Sequence, residues 1–245
     1  MIRALWVALV GGTVTAVLAA QIVLANWLRM ERTLRKICPR NPTWSARTIL
    51  WAGDVKVKVE GAERLRGEGP RVLVSNHESW FDVMALCATL PWEYRFAIKK
   101  ELEKVPIWGS AWLACGHISV DRYNRQAAIQ SLERAREISG EHSSMLIVFF
   151  PEGTRSVTGA MLPFKKGAFV TALQLGVPVI PVAVIGGRQI MPKHSWKIRP
   201  GRMRVVVGEP IAVAGLAFDA RDGLVERART AVAALRGGEG PTETP

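Results

Sequence analysis

Metal and redox chemistry have little to build on in this sequence. Its 245 residues hold three cysteines, Cys38, Cys87 and Cys115, and four histidines. No cysteine pair shows Cys-x-x-Cys or zinc spacing and the histidines lie far apart, so no metal site is expected. An odd cysteine count without a framework predicts free thiols, serving as small apolar fillers in a reducing compartment. A dinucleotide fingerprint, a Walker loop and a Gly-x-Ser-x-Gly elbow are also missing, which leaves no serine or cysteine nucleophile to name. Nor is there a zinc finger or an RNP signature, and the one Gly-x-x-Gly, Gly237 to Gly240, falls at the C-terminal tail and not between two helices. Nucleic acid is therefore not the expected partner, despite a net charge of +12.

That charge is unevenly placed. Residues 1–52 carry seven Lys/Arg against one acid, half of the net excess in about a fifth of the chain. The same stretch holds the most apolar run, so the basic excess points to an anionic membrane surface. Ala4 to Leu28 contains no charged residue and would extend about 37 Å as a helix, against a hydrocarbon core of about 30 Å. Trp6 and Trp27 would stand about 31 Å apart, matching two interfacial belts. Arg29, Arg32, Arg35, Lys36 and Arg40 follow the run and Arg3 stands alone before it, which places the remainder on the cytoplasmic side of the membrane. Leu18-Ala19-Ala20 would serve as a cleavage site, but the apolar run continues to Leu28, longer than an ordinary signal core.

Pro39 and Pro42 predict a break, with Asn41-Pro42 as cap and first turn of a second helix to about Ala52. Its Trp44, Ile49, Leu50 and Trp51 serve equally a segment lying at the interface or one packed on the soluble domain. From Asp54 the texture changes to alternating strands and helices. Strands are expected at 55–59, 72–75, 94–98, 118–120, 145–150, 177–185 and 203–207. Helices are expected near 80–90, from 101 with a break at Pro106, and at 126–138, 168–175 and 224–235. The fold class is therefore α/β: a single αβα-type domain over residues 53–236 with a central, mostly parallel mixed sheet. An N-terminal membrane-associated helix pair (1–52) precedes it, and a disordered tail (237–245) follows.

Two strand ends carry the candidate chemistry. After the buried run Val72-Leu73-Val74 come Asn76-His77-Glu78-Ser79-Trp80-Phe81-Asp82, where a histidine suited to general-base work has a carboxylate five residues on to hold its tautomer. The same letters fit a helix capping box, with Ser79 at the N-cap and Asp82 at N3. Asp82 is not expected to serve both N3 and His77 fully. After the apolar strand 145–150 come Pro151-Glu152-Gly153-Thr154-Arg155-Ser156. Gly153 allows close backbone approach there, and Arg155 offers a planar fork to phosphate oxygens, although the stretch also reads as a tight turn. Lys99 and Lys100 stand at another strand-to-helix junction. Pro163-Phe164-Lys165-Lys166-Gly167 and Val177-Pro178-Val179-Ile180-Pro181 suggest groove edges, or simply packing.

Together these stretches resemble four ordered blocks of the glycerolipid acyltransferases, especially the bacterial 1-acyl-sn-glycerol-3-phosphate acyltransferases. His77 to Asp82 match the His-x4-Asp block; Lys99-Lys100-Glu101-Leu102 resembles the second; Phe150 to Ser156 match the third; Val177 to Pro181 resemble the fourth. Gly116 to Arg122 is similar to the strand after the second block, and the resemblance covers roughly residues 54–210. It implies direct acyl transfer from acyl-CoA or acyl-carrier protein to the 2-hydroxyl of lysophosphatidate, giving phosphatidate for phospholipid biosynthesis. In that scheme His77 is the base and Asp82 its partner. Backbone N–H groups near the turn would hold the oxyanion. Arg155 and Lys99 take the phosphate, with Gly153, Thr154 and Glu152 shaping the site and Lys100 and Ser79 secondary. Glu152, itself an anion, would orient a cation or the loop. No cofactor and no metal are implied, and the resemblance suggests an N-terminal helix pair sunk into one leaflet where the tryptophan spacing suggests a span. Other readings are a different lysophospholipid or head group as acceptor, a thioesterase, and a non-catalytic basic lipid-binding module.

Overall fold

A computed structural model describes residues 2–67, 69–91, 93–120 and 144–237. The expected helix at 126–138 lies outside these residues, as does the tail from 238. Helix α1 (Ile2–Trp27) and helix α2 (Glu31–Gly53) form the N-terminal pair, and α1 is long and apolar enough to cross a membrane. Strand β1 (Val55–Glu60), β2 (Arg71–Ser75), α3 (Trp80–Thr89), β3 (Tyr94–Lys99), α4 (Trp108–Ala114) and β4 (Ile118–Val120) follow. After the undescribed stretch come β5 (Leu146–Phe149), α5 (Gly167–Leu175), β6 (Val179–Ile185), α6 (Gly187–Ile190), β7 (Gly201–Val207) and α7 (Arg221–Gly237).

The strands join in one sheet, ordered β1-β7-β6-β2-β5-β3-β4. Its pairings are parallel except β6 with β7, so the expected mostly parallel mixed sheet is what forms. Leu73, Leu146, Val148, Ile180 and Val182 face a core shared with α2 and α3, and the intervening Val72, Val74, Ile147 and Val179 face the other side, under α5 and α7. Burial on both faces explains why these strands read as unbroken apolar runs. In a parallel sheet such strands share one C-terminal edge, where ligands bind beside a topological switch. The ends of β2, β5, β3 and β6 all lie there. The antiparallel relation of β7 to β6 brings the starts of β7 and β1 to the same edge.

Two expectations fail in the N-terminal pair. Helix α2 is continuous through Pro39 and Pro42 instead of beginning at Asn41. Asn41 is no cap. Its side-chain amide donates to Leu18 O at 3.0 Å and to Gln21 Oε1 at 3.3 Å, both on α1. Interhelical polar contacts of this kind, with Thr15 and Ser45 hydroxyls in mutual contact, offset the backbone bonds that the prolines remove. The cysteines are the second correction. Cys38 of α2 and Cys115, just beyond α4, form a disulfide, and only Cys87 remains a buried free thiol. Their separation of 77 residues shows no framework in sequence, because tertiary packing alone brings them together.

Candidate functional site

His77 is fixed from three sides. Its Nδ1 lies 3.0 Å from Asp82 Oδ2, so the accepting carboxylate assigns the proton to Nδ1 and leaves Nε2 with its lone pair for a substrate. Its ring stacks on Phe150 at 4.1 Å between centroids. Its backbone N–H donates to Glu152 Oε1 at 2.8 Å, while its carbonyl accepts from Ser156 N–H at 2.8 Å. The stretch after β5 is thus bolted to the turn after β2. Asn76 completes the frame, exchanging paired 2.8 Å bonds with the backbone N–H and C=O of Val184 on β6.

Asp82 does what the sequence reading held incompatible. Its Oδ2 accepts from the backbone N–H groups of Glu78 (2.6 Å) and Ser79 (2.7 Å) as well as facing His77 Nδ1. Ser79 caps α3 as expected, its hydroxyl accepting from Phe81 N–H at 3.2 Å and donating to Met191 O at 2.7 Å. Capping and orientation coexist because one ionised oxygen has several acceptor sites and the turn curls its donors around it. The other oxygen, Oδ1, is packed so closely on Gly187 that a Cβ there would come within 2.0 Å of it. Since the N–H groups of His77, Glu78 and Ser79 are already committed to carboxylates, they are not free to hold an oxyanion.

Glu152 orients the loop rather than a cation, accepting from His77 N–H and, at 2.9 Å, from Leu162 N–H. Gly153 adopts φ of +70°, the left-handed region that a side chain disfavours. Arg155 lies over the Trp80 ring at 5.2 Å, and burial lowers its pKa while Asp82 opposes that shift. A residue without any sequence signal completes this corner. Lys193, from the loop after α6, donates to Thr154 Oγ1 at 3.1 Å and to Arg155 O at 3.0 Å. Lys99 closes β3 and Lys100 opens the following turn, at the same sheet edge as the turn after β5 and on the strand next to it.

Three carboxyl groups crowd this edge. Burial pushes Glu78 up to about 7; Arg236 opposes the rise, Asp82 and Glu152 add to it, and Arg188 opposes it. Burial also raises Glu152, against its two backbone donors. Arg236, at the end of α7, clasps Glu78 and donates to Gly159 O at 2.8 Å, tying the last helix to the turn that carries His77.

An apolar cavity of about 280 Å³ opens on the α3 side. Trp80, Met84, Trp108 and Trp112 line it together with Leu18 and Ile22 of α1. It lies between the N-terminal pair and the sheet domain, so both are needed to form it. At its inner end His117 stacks on Trp112 at 3.8 Å, and its Nδ1 accepts from Phe96 N–H at 3.0 Å. Burial holds His117 well below its ordinary pKa, and Arg95 adds to that. Among the described residues no cluster of metal-ligating side chains occurs.

The family model described as Acyltransferase matches residues 56–185. The chloroplastic 1-acyl-sn-glycerol-3-phosphate acyltransferase of Brassica napus is 37% identical over 158 residues, covering 64% of this chain and 45% of that protein. The alpha form of the same enzyme from Ovis aries is 35% identical over 179 residues, 71% of this chain and 61% of that protein. The chain thus spans about half the length of the curated relatives it matches. The crystal structure of the 1-acyl-sn-glycerophosphate acyltransferase PlsC from Thermotoga maritima shares the fold, with a TM-score of 0.79 at 23% identity over 98% of this chain and 97% of that one.

Proposed function

The chain belongs to the acyltransferase family, and on that premise we propose that it moves an acyl chain from a thioester to the 2-hydroxyl of 1-acyl-sn-glycerol 3-phosphate. The observation that carries this reading is His77, held through Nδ1 by Asp82 at 3.0 Å, which leaves Nε2 as the atom available to a substrate. Nε2 takes the hydroxyl proton as the oxygen attacks the thioester carbonyl. Asp82 stabilises the imidazolium that forms, and collapse of the tetrahedral species expels the thiolate, which takes the proton back from His77. The serine hydroxyls near His77 are committed elsewhere, Ser79 to Met191 O and Ser156 to Ala160 O, so the transfer is read as direct, through no acyl-enzyme.

The acceptor's phosphate sits at the Glu152–Arg155 turn. Arg155 supplies the fork, Lys193 and Lys99 add charge, Gly153 and Thr154 give the backbone its close approach, and Lys100 and Ser79 play secondary parts. The donor's acyl chain occupies the apolar cavity, entering past Trp80. Acyl-CoA or acyl-carrier protein is the co-substrate, and no further cofactor is required. Helices α1 and α2 hold the enzyme in the membrane that supplies its acceptor. Helix α2 returns beside the start of α1, where Arg3 donates to Gly53 O at 2.9 Å. The pair therefore enters and leaves by one face, and the sheet domain stands on that face, the cytoplasmic one. Cys38 and Cys115 are 6% and 2% exposed, which shields their disulfide from soluble thiols.

The test is turnover of lysophosphatidate with acyl-CoA and with acyl-carrier donors by the full chain, beside His77→Ala. Loss of the general base removes about 10²–10⁴-fold of rate. A variant that keeps about a tenth of the wild-type rate refutes the role, and release of free acid without acceptor makes the protein a thioesterase instead.

A further inference from the structure

Among the described residues outside the N-terminal pair, the loop between α6 and β7 carries the most exposed large apolar side chain. Trp196 is 89% exposed, at the tip of residues 191–200, with Lys193, Lys197 and Arg199 on the same loop. The loop is not slack. Ser195 N–H donates to Pro192 O at 3.1 Å, Lys197 N–H to Ser195 Oγ at 3.1 Å, and Arg199 N–H to Ile190 O at 2.9 Å. Ile198 packs on the core. His194 holds a φ of +66°, a strained backbone at a non-glycine position. Each of these fixes the stem and leaves Trp196 projecting into open space.

The position of the loop names its surroundings. Its first residue takes the Ser79 hydroxyl on Met191 O, and Lys193 grips the Thr154–Arg155 turn. Its far end is tied to the N-terminal pair, since Gly201 N–H donates to Asp54 O at 3.1 Å, directly beyond α2. There Arg3 of α1 donates to Gly53 O at 2.9 Å and pairs with Asp54 at 3.6 Å. Close by, the exposed rings of Trp6 and Trp51 meet at 6.4 Å. The loop therefore stands at the active-site edge of the sheet, between the reacting groups and one end of the pair that enters the membrane.

We propose that residues 191–200 form a second membrane contact, with Trp196 entering the head-group layer of an anionic lipid surface while Lys197 and Arg199 meet its phosphates. A tryptophan flanked by cations is suited to that layer, its ring to the acyl boundary and its N–H to the polar zone. The charge fits an anionic surface, and the contact is continuous with Trp6 and Trp51. This rests on the reading that α1 holds the chain in a bilayer. Two separated contacts would fix the tilt of the sheet domain, so that the turn binding the acceptor's phosphate meets lipid at head-group depth.

The experiment uses the full chain labelled with 5-fluorotryptophan and reconstituted in phosphatidylcholine vesicles with and without phosphatidylglycerol. The resonance missing from Trp196→Phe is that of residue 196. A nitroxide near the lipid carbonyl should broaden it, and a water-soluble paramagnet should not, with the protection increasing with phosphatidylglycerol. Broadening by the soluble agent alone overturns the proposal, as does protection that appears only when an acidic acyl-carrier protein is added. Because this readout needs no turnover, it stands or falls apart from the enzymatic assignment. In a second arm, Lys197→Glu should raise the vesicle-presented acceptor concentration needed for half-maximal rate by at least roughly fivefold, the effect of one cation at an anionic surface. It should leave the rate on a short-chain, monomeric lysophosphatidate unchanged. An equal change with both acceptors refutes the interfacial role.

Discussion

Replacing Gly187 by alanine should disable the His77–Asp82 pair without altering either residue. The new Cβ would lie 2.0 Å from Asp82 Oδ1 and 3.0 Å from Ser79 Cβ, both inside contact distance. Asp82 has nowhere to retreat, being fully buried with its other oxygen facing three donors. If the carboxylate rotates away, the buried N–H groups of Glu78 and Ser79 lose their acceptor, at about 1–3 kcal/mol each. If α6 moves instead, overpacking of a close-fitted site costs about 1–3 kcal/mol. For a chain of this size each kcal/mol corresponds to about 2–4 °C of Tm. Either route pulls Oδ2 from His77 Nδ1, and the rate should fall toward the loss expected for a misplaced base, about 10²–10⁴-fold. The acceptor KM should change little, since Arg155 and Lys193 are held by other contacts. Steady-state kinetics and a melt in detergent measure both effects. Gly12→Ala, where a Cβ meets nothing within 4 Å, is the control. A Gly187→Ala enzyme with wild-type kcat and Tm would falsify the claim that Asp82 is pinned between α6 and the catalytic turn.

Three further outcomes are expected. Arg155→Ala should raise the acceptor KM by about 10–100-fold, as loss of a charge-assisted phosphate contact of about 1.5–3 kcal/mol implies; an unchanged acceptor dependence places the phosphate elsewhere. Glu78 has a folded pKa raised to about 7, so its contribution to stability is present below the unfolded value of 4.5 and is lost as pH rises through about 7. Glu78→Gln should accordingly flatten the fall in Tm over that window, and an identical slope in both proteins refutes the assignment. Cys38→Ser should lower stability by about 2–4 kcal/mol; alkylation of denatured wild type without reductant should label Cys87 alone, and labelling of Cys38 and Cys115 as well removes the disulfide.

Much of the architecture was legible because burial on both sheet faces leaves a plain signature. Runs such as Val72-Leu73-Val74 and Leu146-Ile147-Val148 can be placed only in the middle of a parallel sheet. Once they are placed, the residues after each are carried to one edge, so His77 and Glu152 meet and Lys99 stands at the same edge, although the three lie far apart in the chain. What stayed hidden depends on contacts that span the chain. Gly187, Lys193 and Arg236 each act on the site from more than 35 residues away, and no local pattern marks them. Pro39 and Pro42 misled because propensity describes an isolated helix, whereas α2 is supported along its length by α1. The disulfide misled for the same reason, since spacing carries no signal when only packing joins the two cysteines.

Trp80 sits where the two substrates would meet. One face of its ring carries the Arg155 guanidinium, and the residue also lines the apolar cavity. His77 lies three residues before it in the same turn. On the proposed function, phosphate recognition and acyl-chain recognition would therefore meet at a single side chain, each built from different elements: the cations from the loops after β5 and α6, and the cavity from α1, α3 and α4. That separation is what a direct transfer needs, because donor and acceptor must be present together and neither can wait as a covalent intermediate. It also makes the two selectivities independent. Enlarging the cavity at Trp108 should alter which acyl chain is transferred while the phosphate requirement of the acceptor stays as it was. If head-group preference shifts together with chain length, the two substrates share one compartment and the separation is wrong.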